Sequence, residues 1–346
     1  MAKLTKKDLL RDTIKHIDIK KLNVKSLMEA YGRMSFSARD LARAADIFNM
    51  TLVDKRASSW LTIAGSTSAA GCMQVYVDMV KNRMVDVIVA TGASIVDMDF
   101  FEALGFKHYR GTPFIDDRLL RSLYIDRIYD TFIDEEDLQN CDKTIAKIAD
   151  GLDPRPYSSR EFIREMGRFL TKHAKKKDSL VQVAFEAEVP IFCPAFSDSS
   201  AGLGLAYHQW HRPERHISID SVKDFLELTK IKMASGESGL LMIGGGVPKN
   251  FAQDTVVGAE VLGRDVPVHK YAVQITVADV RDGACSSSTL KEASSWGKVS
   301  TVHEQMVFAE ATMALPLLAA HAYQTGHWRR RTARRFSAMF GAQKVS

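Results

Sequence analysis

The chain has 346 residues, 46% of them hydrophobic and 26% charged, which is ample apolar material for a core and excludes global disorder. A formal net charge of +5 is too mild to imply nucleic-acid binding. Four cysteines, at 72, 141, 193 and 285, lie too far apart for a disulfide scaffold or a CxxC zinc site and read as reduced thiols of a cytoplasmic protein.

In chain order, Met1 to Asp12 is charged and lacks the apolar stretch of a secretory signal. No apolar run approaches the ~18 residues of a membrane helix, so no membrane partner is expected. Residues 1–55 read as an N-terminal helical segment. Within it Ser37-Ala38-Arg39-Asp40 has the form of an N-cap with an acid at the third helical position, and Leu41, Ala44, Ala45 and Phe48 make one apolar face. From Ser59 the pattern changes to short apolar runs closed by small residues. Trp60–Ala64 precedes Gly65–Gly71, and Val85–Ala90 precedes Thr91-Gly92-Ala93-Ser94. Pro190–Phe196 precedes Ser197–Ser200, Leu240–Ile243 precedes Gly244-Gly245-Gly246, and Tyr271–Val277 is a fifth run. Helical patterns lie between them, as in Met73–Met84 and Ser221–Leu228. Residues 134–180 are helical and charged, with Asp134-Glu135-Glu136-Asp137 as an acidic first turn that suits the helix dipole. The basic stretch His327–Phe336 reads as part of a solvated tail, residues 325–346. No linker separates two domains, so 1–346 is expected to be one domain. Apolar strands alternating with helices indicate an α/β fold: a Rossmann-like parallel sheet with helices on both faces. The small-residue turns then fall at the carboxyl ends of the strands, the edge where open α/β sheets bind ligands.

Several motifs admit two readings. Gly244-Gly245-Gly246 lets backbone amides approach a phosphate, or is a tight turn alone. Gly65–Gly71 cradles a phosphate with amides and hydroxyls, or caps a helix packed close to a strand. The GxGxxG fingerprint is absent, since Gly202-Leu203-Gly204 has no third glycine in place. His208, His211 and His216 lack zinc spacing and read as a surface or interface cluster, so no metal is expected. Ser286-Ser287-Ser288 lacks the GxSxG elbow and reads as a turn. Glu292 and Trp296 are four apart and share a helix face, Gly297 can end that helix, and Lys298 then leaves at a new angle. Lys298 is either a solvated partner of the helix dipole or an amine desolvated by the indole and so freed for imine chemistry.

Ser295-Trp296-Gly297-Lys298, the run Gly244-Gly245-Gly246-Val247-Pro248-Lys249-Asn250, the strand Met84–Val89, and Cys193-Pro194-Ala195 followed by Asp198 together resemble the deoxyhypusine synthase family. The resemblance spans residues 55–320 in order. It implies a homotetramer with active sites between subunits, NAD as cofactor, and no net redox change. In such a reaction an amine such as spermidine is oxidised to an imine, its aminobutyl group passes to an active-site lysine and then to an acceptor amine, and the product is reduced by the same NADH. The resemblance places the lysine at Lys298, the tryptophan against the polyamine at Trp296, and a substrate-holding acid at Glu292. It assigns NAD contacts to Gly65, Ser66, Ser68 and Ala69, with serine at 66 where the family has asparagine. Further contacts fall on Thr91, Gly92 and Ala93, on Asp97 in place of a longer acid, and on Asp198, Gly245, Val277, Ala278, Glu310 and Ala311.

The substrate side departs from the family. Its histidine is Asn250 here, one polyamine-holding aspartate is Leu203, and a second is Cys285, although the neighbouring acid survives as Asp282. A glutamate beside the second NAD turn is Val96. Each lost carboxylate removes a charge-assisted bond of ~1.5–3 kcal/mol to an ammonium. The implied activity is therefore transfer of a four-carbon amine group, from a polyamine or agmatine, to a small amine acceptor such as a polyamine. A deoxyhypusine synthase acting on a translation-factor lysine, and a non-catalytic NAD-binding regulator, stay open.

Overall fold

Alternating aliphatic residues give each central strand two apolar faces, and both are buried. Leu61, Ile63, Ile88, Leu241, Ile243, Val273 and Ile275 belong to one core, while Trp60, Val87, Val89, Leu240, Met242 and Ala272 belong to another on the opposite face. The structure is a computed structural model and describes residues 4–21, 23–282 and 288–341. The main sheet has six strands: β1 (Ser58–Ile63), β2 (Val87–Ala90), β3 (Ile191–Phe192), β4 (Ser238–Ile243), β5 (His269–Thr276) and β6 (Val299–Phe308). Their order is β6-β5-β4-β1-β2-β3 and every neighbouring pair is parallel. Strand order reverses at the β1–β4 boundary, the switch point at which doubly wound sheets open a crevice.

Two strand expectations change. Pro190–Phe196 contracts to the two residues of β3, and β6 was not anticipated. Both are edge strands. The ten residues of β6 include Ser300, Thr301, Glu304 and Gln305, so one side stays wet and no continuous apolar run marks it. A small antiparallel sheet (His108–Arg110, Ile125–Ile128, Thr131–Asp134) and a two-residue parallel pair (Pro156–Tyr157 with Ser218–Ile219) lie outside the main sheet.

The N-terminal segment is helical, with helices at Lys6–Leu9, Lys25–Tyr31 and Phe36–Val53. The third packs on β5 and β6 through the expected face of Leu41, Ala44, Ala45 and Phe48. It starts two residues early: Ser35 is the N-cap, and the Ser37 hydroxyl donates to the Phe308 carbonyl at 3.3 Å. The acidic turn holds as read, and Asp134 itself caps helix Glu135–Asp150 by accepting from the Glu136 and Asp137 amides. Among the described residues no helix is long and apolar enough to cross a membrane.

The basic stretch is not a solvated tail. Arg331 is buried and its guanidinium meets Asp86 at 2.6 Å, with side-chain exposures of 7% and 2%. Asp86 also accepts from the Ser59 amide at 2.8 Å, and Arg334 donates to the Lys55 and Arg56 carbonyls. Residues 327–341 thus close over the amino edge of the sheet, where charge density in the sequence disguised a buried ion pair. Removing one partner strands the other charge in the interior. Arg331→Ala should therefore cost ~3–5 kcal/mol in denaturant unfolding, and Arg331→Met with Asp86→Asn together should cost clearly less than the single change.

Candidate active site

The carboxyl edge collects the small-residue turns. After β1, Gly65 adopts φ +76° with open space where a Cβ would stand. After β4, Gly244 and Gly246 adopt φ +73° and +62°, and Gly246 too faces open space. These positive angles favour glycine. Gly65, Ser66, Gly245 and Gly246 therefore bring glycine-rich backbone to this edge, where open α/β sheets bind ligands. The first two turns are stitched together: the Ser94 hydroxyl donates to the Gly65 carbonyl at 2.6 Å, and Ser68 donates to the Ser94 carbonyl at 3.4 Å. Each turn runs into a wide, π-type helical segment, Ser68–Cys72 and Ala93–Phe100.

Several assigned NAD contacts also have partners within the chain. Ser68 and Ala69 are buried, whereas Gly65 is exposed and Ser66 half-buried. Gly92 touches the neighbouring loop, and a Cβ there would stand 2.5 Å from Ser199 Cβ and Oγ. Asp97 accepts from the Ser200 amide at 2.6 Å and so caps helix Ser200–His211. Burial pushes its carboxyl up to about 6 despite that amide, and the carboxylates of Asp142 and Asp198 add to the rise. Glu310 caps its own helix by accepting from the Met313 amide, and Ala311 opens that helix. Asp198, Thr91, Ala93, Gly245, Val277 and Ala278 all sit at the ends of strands on this edge.

Lys298 stands elsewhere. Helix Leu290–Ser295 is opened by a capping box between Thr289 and Glu292, in which the Glu292 carboxylate accepts from the Thr289 amide at 2.6 Å. That bond holds Glu292 below the usual carboxylate range. Gly297, at φ +67°, turns the chain, and the Lys298 carbonyl accepts from the His269 amide at 3.0 Å. Lys298 thus immediately precedes β6, at the amino side of a parallel sheet. Its side chain is 13% exposed, its Nζ lies 5.2 Å from the Trp296 ring centroid, and it meets Asp254 Oδ1 at 2.5 Å. Asp254 ends helix Gly246–Gln253, whose eight residues span about 12 Å at ~1.5 Å each. The lysine is therefore separated from its own chain's triple-glycine turn by that helix.

Two residues near this site were missed from sequence. Lys249 is fully buried and donates to Gln274 Oε1 at 2.9 Å and to the Ser288 carbonyl. Gln274 in turn donates to the Gly244 carbonyl at 3.0 Å, so Lys249 ties the glycine turn to the start of the helix that carries Trp296. Burial pushes its ammonium down to about 8, with Lys298 adding repulsion and Glu292 opposing the fall. A lysine in the first turn of a helix after a glycine run was the available signal. Asp254, the other, had none beyond its place before Thr255.

Of the remaining substrate assignments, Asn250 is half-buried on the same helix as Lys249. Asp282 is exposed, and Cys285 with Ser286 and Ser287 lies outside the described residues. Leu203 is 61% exposed on the helix after β3, at the sheet edge opposite β6 and Lys298. Val96 is fully buried in the core. Gly202 and Gly204 serve close packing: Cβ atoms there would meet the Ser197 carbonyl oxygen at 2.0 Å and the Asp142 carbonyl oxygen at 2.5 Å. The histidine cluster is partly internal, because His208 is buried between Asp150 at 2.7 Å and the Ile217 amide at 3.1 Å.

The sheet order and edge turns define the doubly wound class of α/β folds. The sequence profile of deoxyhypusine synthase matches residues 26–322. The "Deoxyhypusine synthase-like protein" of Coxiella burnetii (strain Dugway 5J108-111) is 64% identical over 339 residues, 98% of this chain and 96% of that one. "Probable deoxyhypusine synthase 2" of Methanosarcina mazei is 40% identical over 322 residues, 93% and 92% of the two chains. A crystal structure of a "putative deoxyhypusine synthase" from Entamoeba histolytica shares the fold at a TM-score of 0.63 and 20% identity, covering 92% of this chain and 99% of that one. The chain belongs to the deoxyhypusine synthase family.

The contact at Gly92 generates one prediction. Gly92→Ala should wedge the second turn from the loop at Ser199 and cost ~1–3 kcal/mol in thermal unfolding. Adding Ser199→Gly should recover part of the loss.

Proposed function

We propose that this chain is an NAD-dependent transferase that moves a four-carbon amine group from a polyamine or agmatine, through an imine on Lys298, to a small amine acceptor in the cytoplasm. The observation that carries the reading is the setting of Lys298: a nearly buried amine beside an indole face, on a capped and glycine-ended turn. When bound, NAD takes a hydride from the amine-bearing carbon and later returns it. The chain's own residues supply the rest. Trp296 offers a face to an alkylammonium, an attraction of up to ~2 kcal/mol when water is excluded. Lys298 gives one proton to the imine nitrogen, its lone pair forms the new C–N bond, and the C=N π pair returns to that nitrogen. The Lys298 nitrogen passes a second proton to the donor nitrogen, which leaves as an amine with the old C–N pair, and the Lys298 lone pair closes the imine that the acceptor amine then attacks in the same way.

The cofactor would lie against Gly65, Ser66, Thr91, Gly92, Asp97 and Gly245. Lys298 precedes β6 at the amino side of the sheet, whereas the glycine turns follow strands at the carboxyl edge. A homotetramer in which paired chains complete each other's sites, as the family resemblance implies, would bring a lysine from one chain to the glycine turns of another. Leu203, Val247, Val277 and Met313, exposed apolar residues on or near the carboxyl edge, fit a surface covered by another chain. A second reading, transfer to a protein lysine, is favoured by the name of the Methanosarcina mazei relative.

Purified protein with NAD, incubated with spermidine, putrescine and agmatine singly and in pairs, should yield a new polyamine by mass spectrometry. Lys298→Ala should abolish that product by at least 100-fold and leave NAD binding within about twofold. Product only when a lysine-bearing protein acceptor is added would favour the second reading, and NAD binding without any transfer would favour a regulator. The carboxylate of Asp97 is the stronger acceptor for ribose hydroxyls, and it is ionised above about 6. NAD affinity measured by calorimetry should therefore weaken as pH falls through about 6, and Asp97→Asn should flatten that step.

A further inference from the structure

Asp254 occupies the joint between helices Gly246–Gln253 and Thr255–Val261, the position from which an aspartate ordinarily caps the second helix. Its carboxylate makes no such bond. It faces Lys298 instead, at 2.5 Å, and is 41% exposed where the lysine side chain is 13% exposed. The other charges around Lys298 do not share this role. Glu292 is engaged by the Thr289 amide, and Lys249 is a buried cation that repels the ammonium. Among the described residues Asp254 is the one carboxylate in an ion pair with Lys298.

An ammonium held by a carboxylate has no lone pair with which to attack an imine. The more exposed partner of the pair is the carboxylate, so a second cation arriving from solvent reaches Asp254 before it reaches Lys298. We propose that Asp254 is a substrate-displaced counter-ion: the terminal ammonium or guanidinium of the donor takes Asp254 from Lys298. Left between the Trp296 face and the cationic Lys249, Lys298 then gives up its proton to the imine nitrogen and becomes the nucleophile. The donor class that follows is an alkylamine with two cationic centres, one to react and one to occupy Asp254. Monoamines leave the lysine paired. Asp254 is a positioning residue that acts through Lys298, and the donor side of the proposal rests on the transferase reading above.

The test separates the two. Full-length protein without NAD is treated with formaldehyde and cyanoborohydride, and methylation of Lys298 is followed by peptide mass spectrometry. Asp254→Asn and Asp254→Ser, both good N-caps that suit Thr255–Val261, should raise the Lys298 labelling rate at least fivefold, while Asp254→Glu stays within twofold of wild type. Rates in the Asn and Ser variants equal to or below wild type would overturn the counter-ion assignment, whatever the enzyme's activity. With an active donor, Asp254→Asn should raise the KM of a dicationic amine at least tenfold and change kcat less. An unchanged KM would overturn the donor-binding part. If wild type transfers nothing, the transferase reading fails while the labelling result still decides the role of Asp254.

Discussion

A parallel strand delivers the residues before it and the residues after it to opposite edges of its sheet. Every main-sheet strand here is parallel, so this constraint sorts the chemistry of the whole chain. Gly65, Thr91, Gly244 and Val277 follow strands and meet at the carboxyl edge, whereas Lys298 precedes β6 and stays near the amino side. The order β6-β5-β4-β1-β2-β3 also separates the ends of the sheet laterally, placing Asp198 and Leu203 beyond β3 and Lys298 beside β5. The turns assigned to a cofactor and the lysine assigned to imine chemistry therefore occupy different edges of the sheet, which the proposed assembly of chains would bring together.

Much of this was legible from residue pattern. Trp60–Ala64, Leu240–Ile243 and Tyr271–Val277 each declared a buried strand, because a sheet covered on both faces needs apolar residues at successive positions. The glycines after β1 and β4 declared the crevice. The edge strand β6 escaped because an edge tolerates polar residues, and β3, the other edge, is shorter than its apolar run. Ser68, Ala69 and Glu310 are assigned to the cofactor by resemblance; in the structure the first two are buried and the third also caps a helix. Such commitments depend on how each turn closes, and spacing does not carry that information. The tail misled for a similar reason: Arg331 looks like its neighbours in sequence, and only the docking of the segment shows that it meets Asp86 in the interior.

The electrostatics around Lys298 are set by unequal burial. Burial lowers the Lys249 ammonium to about 8, and its charge makes it a repulsive neighbour of Lys298 rather than a partner. Lys298 is shielded but keeps one carboxylate, and that carboxylate is the part of the pair that water reaches. The indole of Trp296 closes another side without supplying a charge. A lysine held in this way is protected at rest and can be released by a competing cation, which suits an amine substrate better than a neutral one.

The central claim is that cofactor turns and lysine cooperate between chains. Subunit mixing tests it directly. Lys298→Ala supplies intact cofactor turns without the lysine. Ser66→Glu, which places a like charge where a pyrophosphate would lie, supplies the lysine without a working crevice. Each variant is first shown to be inactive alone, and the two are then dissociated and reassembled together. The account predicts that the mixture regains a substantial fraction of wild-type activity, because a mixed pair contains one site with both wild-type halves. A mixture as inactive as its components, with mixed assemblies confirmed by native mass spectrometry, would contradict it and place the whole site within one chain.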